Sequence, residues 1–375
     1  MPGAREASGC ESNGAVGRGP VWLALAAVLA IGLILRLVNL ASLGIRHFDE
    51  AAYLSSGEML VGALVNGGEA GWDYWVISPP LWPMLLGVAR LLLGSADCVH
   101  LLVGAAAGTA GVAVTYFLGA ELLGSRRAGL WSALLLAVCP LHIQLSRSGM
   151  ADPLFATLVA VAALGIVRTF RRGSWRAAVG TGLAVAAAGL TKYHGAIFLV
   201  GVLTLLSPRL LAGIPLGARI KRAGLTLAVA AACLLPWGLW LLFQVGLTRF
   251  AAHRGGFVAL APLSTAAKYS TMLWAGGSSV WLLPAVGGAL LCLRKAGASA
   301  GSEESPAKLE ALAVLSALAA PFALVLLFYT PYVRLLLVFA PLVSVIGARA
   351  LTDTENWLEG TRARRAALSV PVLAA

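Results

Sequence analysis

The chain has 375 residues, 59% of them hydrophobic and only 12% charged, with a mean hydropathy of +0.86. That balance lies outside the range of soluble globular domains, so most of the chain must contact lipid. A net charge of +12 would suit nucleic acid if the cations shared one soluble face, but they are spread through loops between apolar stretches, which excludes that class.

The polar residues through Gly19 read as a disordered cytoplasmic tail. After them come ten stretches long enough for a helix to cross a bilayer: 20–41, 98–123, 128–146, 152–170, 176–191, 194–211, 223–245, 270–293, 309–330 and 332–351. This pattern predicts an all-α, polytopic transmembrane helical bundle occupying residues 20–351. The first stretch is too long for a signal-peptide core and lacks an A-x-A site, so it reads as a retained span. Arg36, near its outer end, reads as a snorkelling side chain. Residues 42–97 form one long external loop. Within it, 49–66 and 80–94 have helical composition but are too short to span, and Tyr53, Met59, Leu60 and Leu64 predict a helix lying along the interface. Residues 352–375 form a basic cytoplasmic segment, with the apolar run from Ala366 reading as the start of a further helix. The cysteines Cys10, Cys98, Cys139, Cys233 and Cys292 are scattered without a C-x-x-C, which implies neither a metal site nor a disulfide framework.

Cations near span ends are retained on the cytoplasmic side during insertion. Every second loop here is basic, through Arg126/Arg127, Arg168/Arg171/Arg172/Arg176, Arg209/Arg219/Lys221/Arg222, Arg294/Lys295/Lys308 and Arg349/Arg362/Arg364/Arg365. Both termini are therefore expected inside a cell membrane and the first loop outside.

The carboxylates are distributed unevenly: between Asp152 and Glu303 there are none. Beyond Asp152 the outer face carries Lys192, Arg249, Arg254, Lys268 and Arg334, with His194 and His253 beside them. Early external acids can supply a general base, and later cations can neutralise a phosphate leaving group. A departing phosphate leaves as a stable anion and needs no acid.

Four external groups could carry such chemistry. Asp49 and Glu50, just past the first span, are adjacent carboxylates and candidate bases; the alternative is that Asp49 caps the interfacial helix with Glu50 in its first turn. Asp152 precedes Pro153, as expected of an N-cap and first helical residue. Lys192, in the tight turn Thr191-Lys192-Tyr193-His194, fits either a phosphate ligand or a snorkelling Lys beside an interfacial Tyr. Arg334 enters the last span, and an embedded Arg usually faces a partner or a cavity.

These residues have a familiar order: Arg36, Phe48-Asp49-Glu50-x-x-Tyr53, Pro79-Pro80-Leu81, Tyr116 with Leu118-Gly119, Ser146-Arg147 with Asp152, Leu190-Thr191-Lys192-Tyr193, and Tyr332-x-Arg334 with Pro341. In this order the chain, from about residue 30 to 350, resembles the GT-C glycosyltransferases. The nearest branch holds protein O-mannosyltransferases, lipid A aminoarabinose transferase and lipid A galacturonosyltransferases. The resemblance implies a polyprenyl-phosphate-linked sugar donor, inverting transfer to a lipid, glycan or protein acceptor, and no nucleotide-sugar site. It implies a catalytic Asp49 with Glu50 adjacent and Asp152 in support. Lys192 and Arg334, with Arg147, would hold the donor phosphate, and Tyr53, Tyr193, His194 and Tyr332 would line the site. Ser78 stands where the aminoarabinose branch has a Lys. No cofactor is required; the external carboxylates could bind a divalent metal, but no tight cluster demands one. Two other classes remain open, a polytopic transporter or lipid flippase and a non-catalytic subunit that binds a lipid-linked sugar.

Overall fold

The computed structural model describes residues 18–67, 78–197, 214–275, 282–290 and 306–369, together with positions 199 and 202. The tail expected to be disordered, most of the expected span 194–211 and part of 270–293 lie outside these residues. Regular structure among the described residues is helical apart from one isolated antiparallel bridge, Val258 to Tyr329. The all-α expectation therefore holds.

Helix α1 covers Arg18–Leu37, α2 Phe48–Asn66, α3 Leu81–Leu93, α4 Val99–Leu123, α5 Arg126–Ala137, α6 Pro140–Ser146, α7 Asp152–Arg172 and α8 Trp175–Thr191. After them come α9 Leu216–Gln244, α10 Leu247–Gly255, α11 Pro262–Ala275, α12 Pro306–Leu327 and α13 Ala340–Ser369, the last preceded by a 3-10 turn at Val333–Phe339. Among the described residues five segments are long and apolar enough to cross a membrane: Pro20–Ser42, Val99–Leu123, Asp152–Thr169, Leu216–Gln244 and Val333–Glu359. The pair α5–α6, bent by 62°, is a sixth when taken together as one broken span. Of the ten expected stretches, most of 194–211 and part of 270–293 lie outside the described residues. The stretch 176–191 forms α8, of 17 residues, and 309–330 falls in α12, which carries Pro321 in its interior.

The break in the sixth span has a chemical cause. Pro140 opens α6, and a proline has no N–H to donate and crowds the preceding turn. The last carbonyls of a helix have no partner of their own, and Ala137 O, the end of α5, accepts a hydrogen bond from Arg36 Nη1 at 3.3 Å. Arg36 also donates to Gly32 O at 2.6 Å and to His142 Nδ1 at 2.7 Å. Snorkelling was expected of Arg36, yet it is fully buried. Its charge goes inward because a broken helix offers acceptors that lipid does not.

The interior is built on α4, which packs against α5 and α7; α7 packs on α8, α8 on α9, and α13 on α5. Leu118, Phe155, Val159, Ile166, Val185, Leu318, Phe322 and Leu342 form its main core. Helices α2 and α3 form a separate hairpin whose backbones touch at Gly57 and Gly87. A Cβ on Gly57 would collide with Pro83 O, and one on Gly87 with Gly57 O. This contact alters the reading of α2 as a single interfacial stripe: Tyr53, Leu54, Leu60 and Val61 are buried, whereas Leu64 is 71% exposed. At the other end of the chain, α13 runs unbroken to Ser369. The apolar run from Ala366 thus continues α13 and opens no new helix up to that point; residues 370–375 lie outside the description.

Candidate active site

One end of the bundle gathers the start of α7, the ends of α8 and α12, the start of α2 and the turn before α13. Asp49 sits in the first turn of α2, where a carboxylate is favoured by the unpaired N–H groups and the helix dipole. Its Oδ2 accepts a hydrogen bond from Arg334 Nη1 at 2.5 Å. Arg334 reaches it from the 3-10 turn Val333–Phe339 and stacks its guanidinium 5.1 Å from the Tyr332 ring centre.

Asp152 lies in the first turn of α7, one place inside the capping position expected from Asp152-Pro153. Its Oδ1 accepts from Lys192 Nζ at 2.7 Å, and its Oδ2 is buried with no hydrogen-bond partner among the described residues. Lys192 is the C-cap residue of α8, where a cation complements the negative end of the helix. It is largely buried against Asp152, which sets aside the reading of a snorkelling surface lysine.

A cavity of about 280 Å³ opens between these groups. Asp49, Lys192 and Arg334 line it, with Tyr53, Tyr193, His194 and Tyr332. His194 meets the Tyr329 ring edge-on, with ring centres 4.9 Å apart, and Phe257 stacks parallel on Tyr329 at 5.7 Å. Backbone bonds fix that wall: Ala259 N–H donates to Phe328 O at 2.9 Å and Thr330 N–H to Phe257 O at 2.8 Å. Ser78, at the position of the missing lysine, also faces the cavity. The arrangement offers a carboxylate, two cations and an aromatic wall, a set suited to a sugar ring attached to a phosphate.

Phe48 and Tyr332 line the same cavity although 284 residues separate them in sequence, so the early carboxylate and the late cations meet. Three site candidates stand back from it: Asp152, which touches the cavity through Lys192, and Arg147 and Glu50. Arg147 donates through Nη2 to Val38 O at 2.5 Å, and its own carbonyl accepts from Arg46 Nη2 at 2.9 Å. Glu50 turns away from Asp49, is fully buried, and accepts from Gly149 N–H at 3.2 Å with His100 Nε2 at 3.9 Å. Burial pushes the Glu50 carboxyl above its ordinary range, partly offset by the Gly149 N–H. Among the described residues no three His, Cys, Asp or Glu side chains come together to hold a metal ion.

Sequence reasoning missed Phe257, which no local motif marks; the bridge of its neighbour Val258 to Tyr329 and the bond from Thr330 N–H to Phe257 O bring it in. It also missed the buried histidines His100 and His142. A histidine in an apolar stretch near an embedded charge was the available signal.

The opposite end carries the basic loops. Arg127 pairs there with Glu359 at 3.0 Å, Arg168 with Glu121 at 3.4 Å, and Arg349 with Asp353 at 3.1 Å. The two ends are thus chemically distinct.

Comparison with known proteins agrees with this architecture. The structure resembles that of ArnT from Cupriavidus metallidurans bound to undecaprenyl phosphate, with a TM-score of 0.66 and 18% identity over 89% of this chain and 60% of that one. It resembles equally the archaeal oligosaccharyltransferase AglB from Archaeoglobus fulgidus in complex with an inhibitory peptide and a dolichol-phosphate, with a TM-score of 0.66 and 16% identity over 92% of this chain and 52% of that one. No curated protein matches the sequence significantly. The resemblance read from the sequence is borne out: this is a multi-pass membrane protein with the fold of the GT-C glycosyltransferases. More particularly, residues 78–240 match the family described as dolichyl-phosphate-mannose-protein mannosyltransferase. The chain spans 60% or less of the length of these solved structures.

Proposed function

We propose that this chain is a glycosyltransferase that moves a sugar from a polyprenyl-phosphate donor to an acceptor hydroxyl on the extracytoplasmic side of the cell membrane, with inversion at the anomeric carbon. The observation that carries the reading is the convergence of Asp49, Lys192 and Arg334 on one cavity. Asp49 takes the proton of the acceptor hydroxyl while the hydroxyl oxygen forms a bond to the anomeric carbon. The bond from that carbon to the phosphate oxygen breaks on the opposite face, and its electron pair leaves with the lipid phosphate. Lys192 and Arg334 neutralise the leaving phosphate, and Arg334 can bind two of its oxygens at once. A single displacement of this kind needs one base and inverts the centre.

The sidedness draws support from the charges. The cavity lies at the end opposite the basic loops of Arg126, Arg127, Arg168 and Arg349, and basic loops stay in the cytoplasm. Asp49→Asn removes the base while keeping the side chain's size. It is expected to abolish sugar transfer from a lipid-linked donor in reconstituted membranes, with the protein still inserted and folded. Full transfer by that variant would overturn the assignment.

A further inference from the structure

The carboxylate next to the proposed base does different work. Glu50 is wholly buried, and its Oε2 accepts a hydrogen bond from the backbone N–H of Gly149. The carbonyl of the same peptide unit's residue, Gly149 O, accepts from Trp82 Nε1 at 2.8 Å. Gly149 is itself boxed in: a Cβ there would lie 2.7 Å from His100 Cδ2 and 3.5 Å from Glu50 Cβ. Both polar groups of one glycine are therefore held by side chains from α2 and α3. Three residues later the chain enters α7 at Asp152, the partner of Lys192. Meanwhile Asp49, one residue before Glu50, grips Arg334.

We infer that Glu50 is a positioning residue: it ties the first turn of α2 to the 148–150 turn, and through that turn sets where Asp152 and Lys192 stand relative to Asp49 and Arg334. Adjacent residues on a helix point in different directions, so one turn of α2 braces both halves of the cavity. What Glu50 supplies is an acceptor oxygen for a buried N–H, a job an amide can do equally well. This role rests on the proposed transferase reading, since it concerns the geometry of that site.

The test compares Glu50→Gln and Glu50→Ala with wild type and Asp49→Asn. Glu50→Gln keeps an acceptor for Gly149 N–H and is expected to transfer sugar within about threefold of wild type, whereas Glu50→Ala is expected to raise KM for the lipid-linked donor roughly tenfold through the loosened turn. A Glu50→Gln variant as inactive as Asp49→Asn would overturn the inference, because the carboxylate charge or proton would then be needed. So would an unchanged KM in Glu50→Ala. A second readout does not depend on the reaction: maleimide labelling of Ser148→Cys, at a position now buried. The labelling rate is expected to rise with Glu50→Ala and to stay at the parent level with Glu50→Gln. Equal rates in both backgrounds would refute the brace even if the chain transfers no sugar, while a rise in Glu50→Ala without any transferase activity in wild type would uphold the brace and reject the transferase reading.

Discussion

Replacing Asp49 should have two opposite effects, and the less obvious one tests the site most directly. Arg334 is the group proposed to receive the donor phosphate, yet in this structure it is engaged by Asp49 at 2.5 Å. A phosphate must therefore displace a carboxylate to bind. Asp49 and Arg334 retain 26% and 27% of their side-chain exposure, so the pair is partly wet and its strength belongs near the upper end of surface ion pairs, about 1 kcal/mol. Asp49→Asn replaces that ion pair with a weaker neutral contact and removes a like charge facing the incoming anion. Affinity for a polyprenyl phosphate is expected to tighten about fivefold, the factor that corresponds to about 1 kcal/mol. Equilibrium titration of the purified variant with undecaprenyl phosphate in nanodiscs measures this, beside a transfer assay in which the same variant is inactive. Unchanged or weaker affinity in a folded Asp49→Asn protein would refute the reasoning, because the phosphate would not then be competing with Asp49 for Arg334.

Three further outcomes follow from the same geometry. Lys192→Ala removes a cation from the cavity and leaves Asp152 as an unpaired, buried carboxylate; it is expected to raise KM for the donor by roughly tenfold or more, read from initial rates at varied donor concentration. Arg36→Met strips the broken span of its donors to Ala137 O and His142, and a loss of about 2–3 kcal/mol in stability is expected, seen as a lower thermal midpoint in detergent. Glu50, whose burial raises its pKa in the folded state, binds its proton more tightly folded than unfolded, so its contribution to stability is present below the unfolded pKa and lost as pH rises through the folded one. The thermal midpoint of wild type should accordingly gain more on acidification from neutral pH than that of Glu50→Gln.

Much of this site was legible in the sequence because its chemistry contradicts its surroundings. Arg334 inside an apolar stretch and Asp49 just outside one are costly placements, and the structure shows what each faces. Lys192 and Asp152 were harder, since a snorkelling lysine and an Asp-Pro helix start are both common; the pair becomes visible only when α7 and α8 are packed side by side. Glu50 shows the limit of reading neighbours as equals. Nothing in Asp49-Glu50 tells which carboxylate faces the cavity, because that depends on how α2 is rotated against α3, and that rotation is fixed by the contact of Gly57 with Gly87. Arg36 went astray for a related reason: lipid was assumed to be its only neighbour, but the acceptors that hold it come from a helix end more than a hundred positions along the chain. The stretch 128–146, finally, reads in the sequence as one continuous helix, because hydropathy does not register a bend of 62° at Pro140.

That bend also sets a depth. Helices α5 and α6 contain 12 and 7 residues, and at 1.5 Å per residue with a 62° angle between them their joint reach is roughly 25 Å before the two linking residues are added, little margin against the ~30 Å of hydrocarbon in a typical bilayer. With Arg126 and Arg127 at one headgroup boundary, a pair of this reach would leave the 147–152 turn close beneath the other. For the proposed transferase, a sugar carried on a lipid would then be met at the level of the leaflet, and the acceptor would reach it through a recess in the bilayer surface.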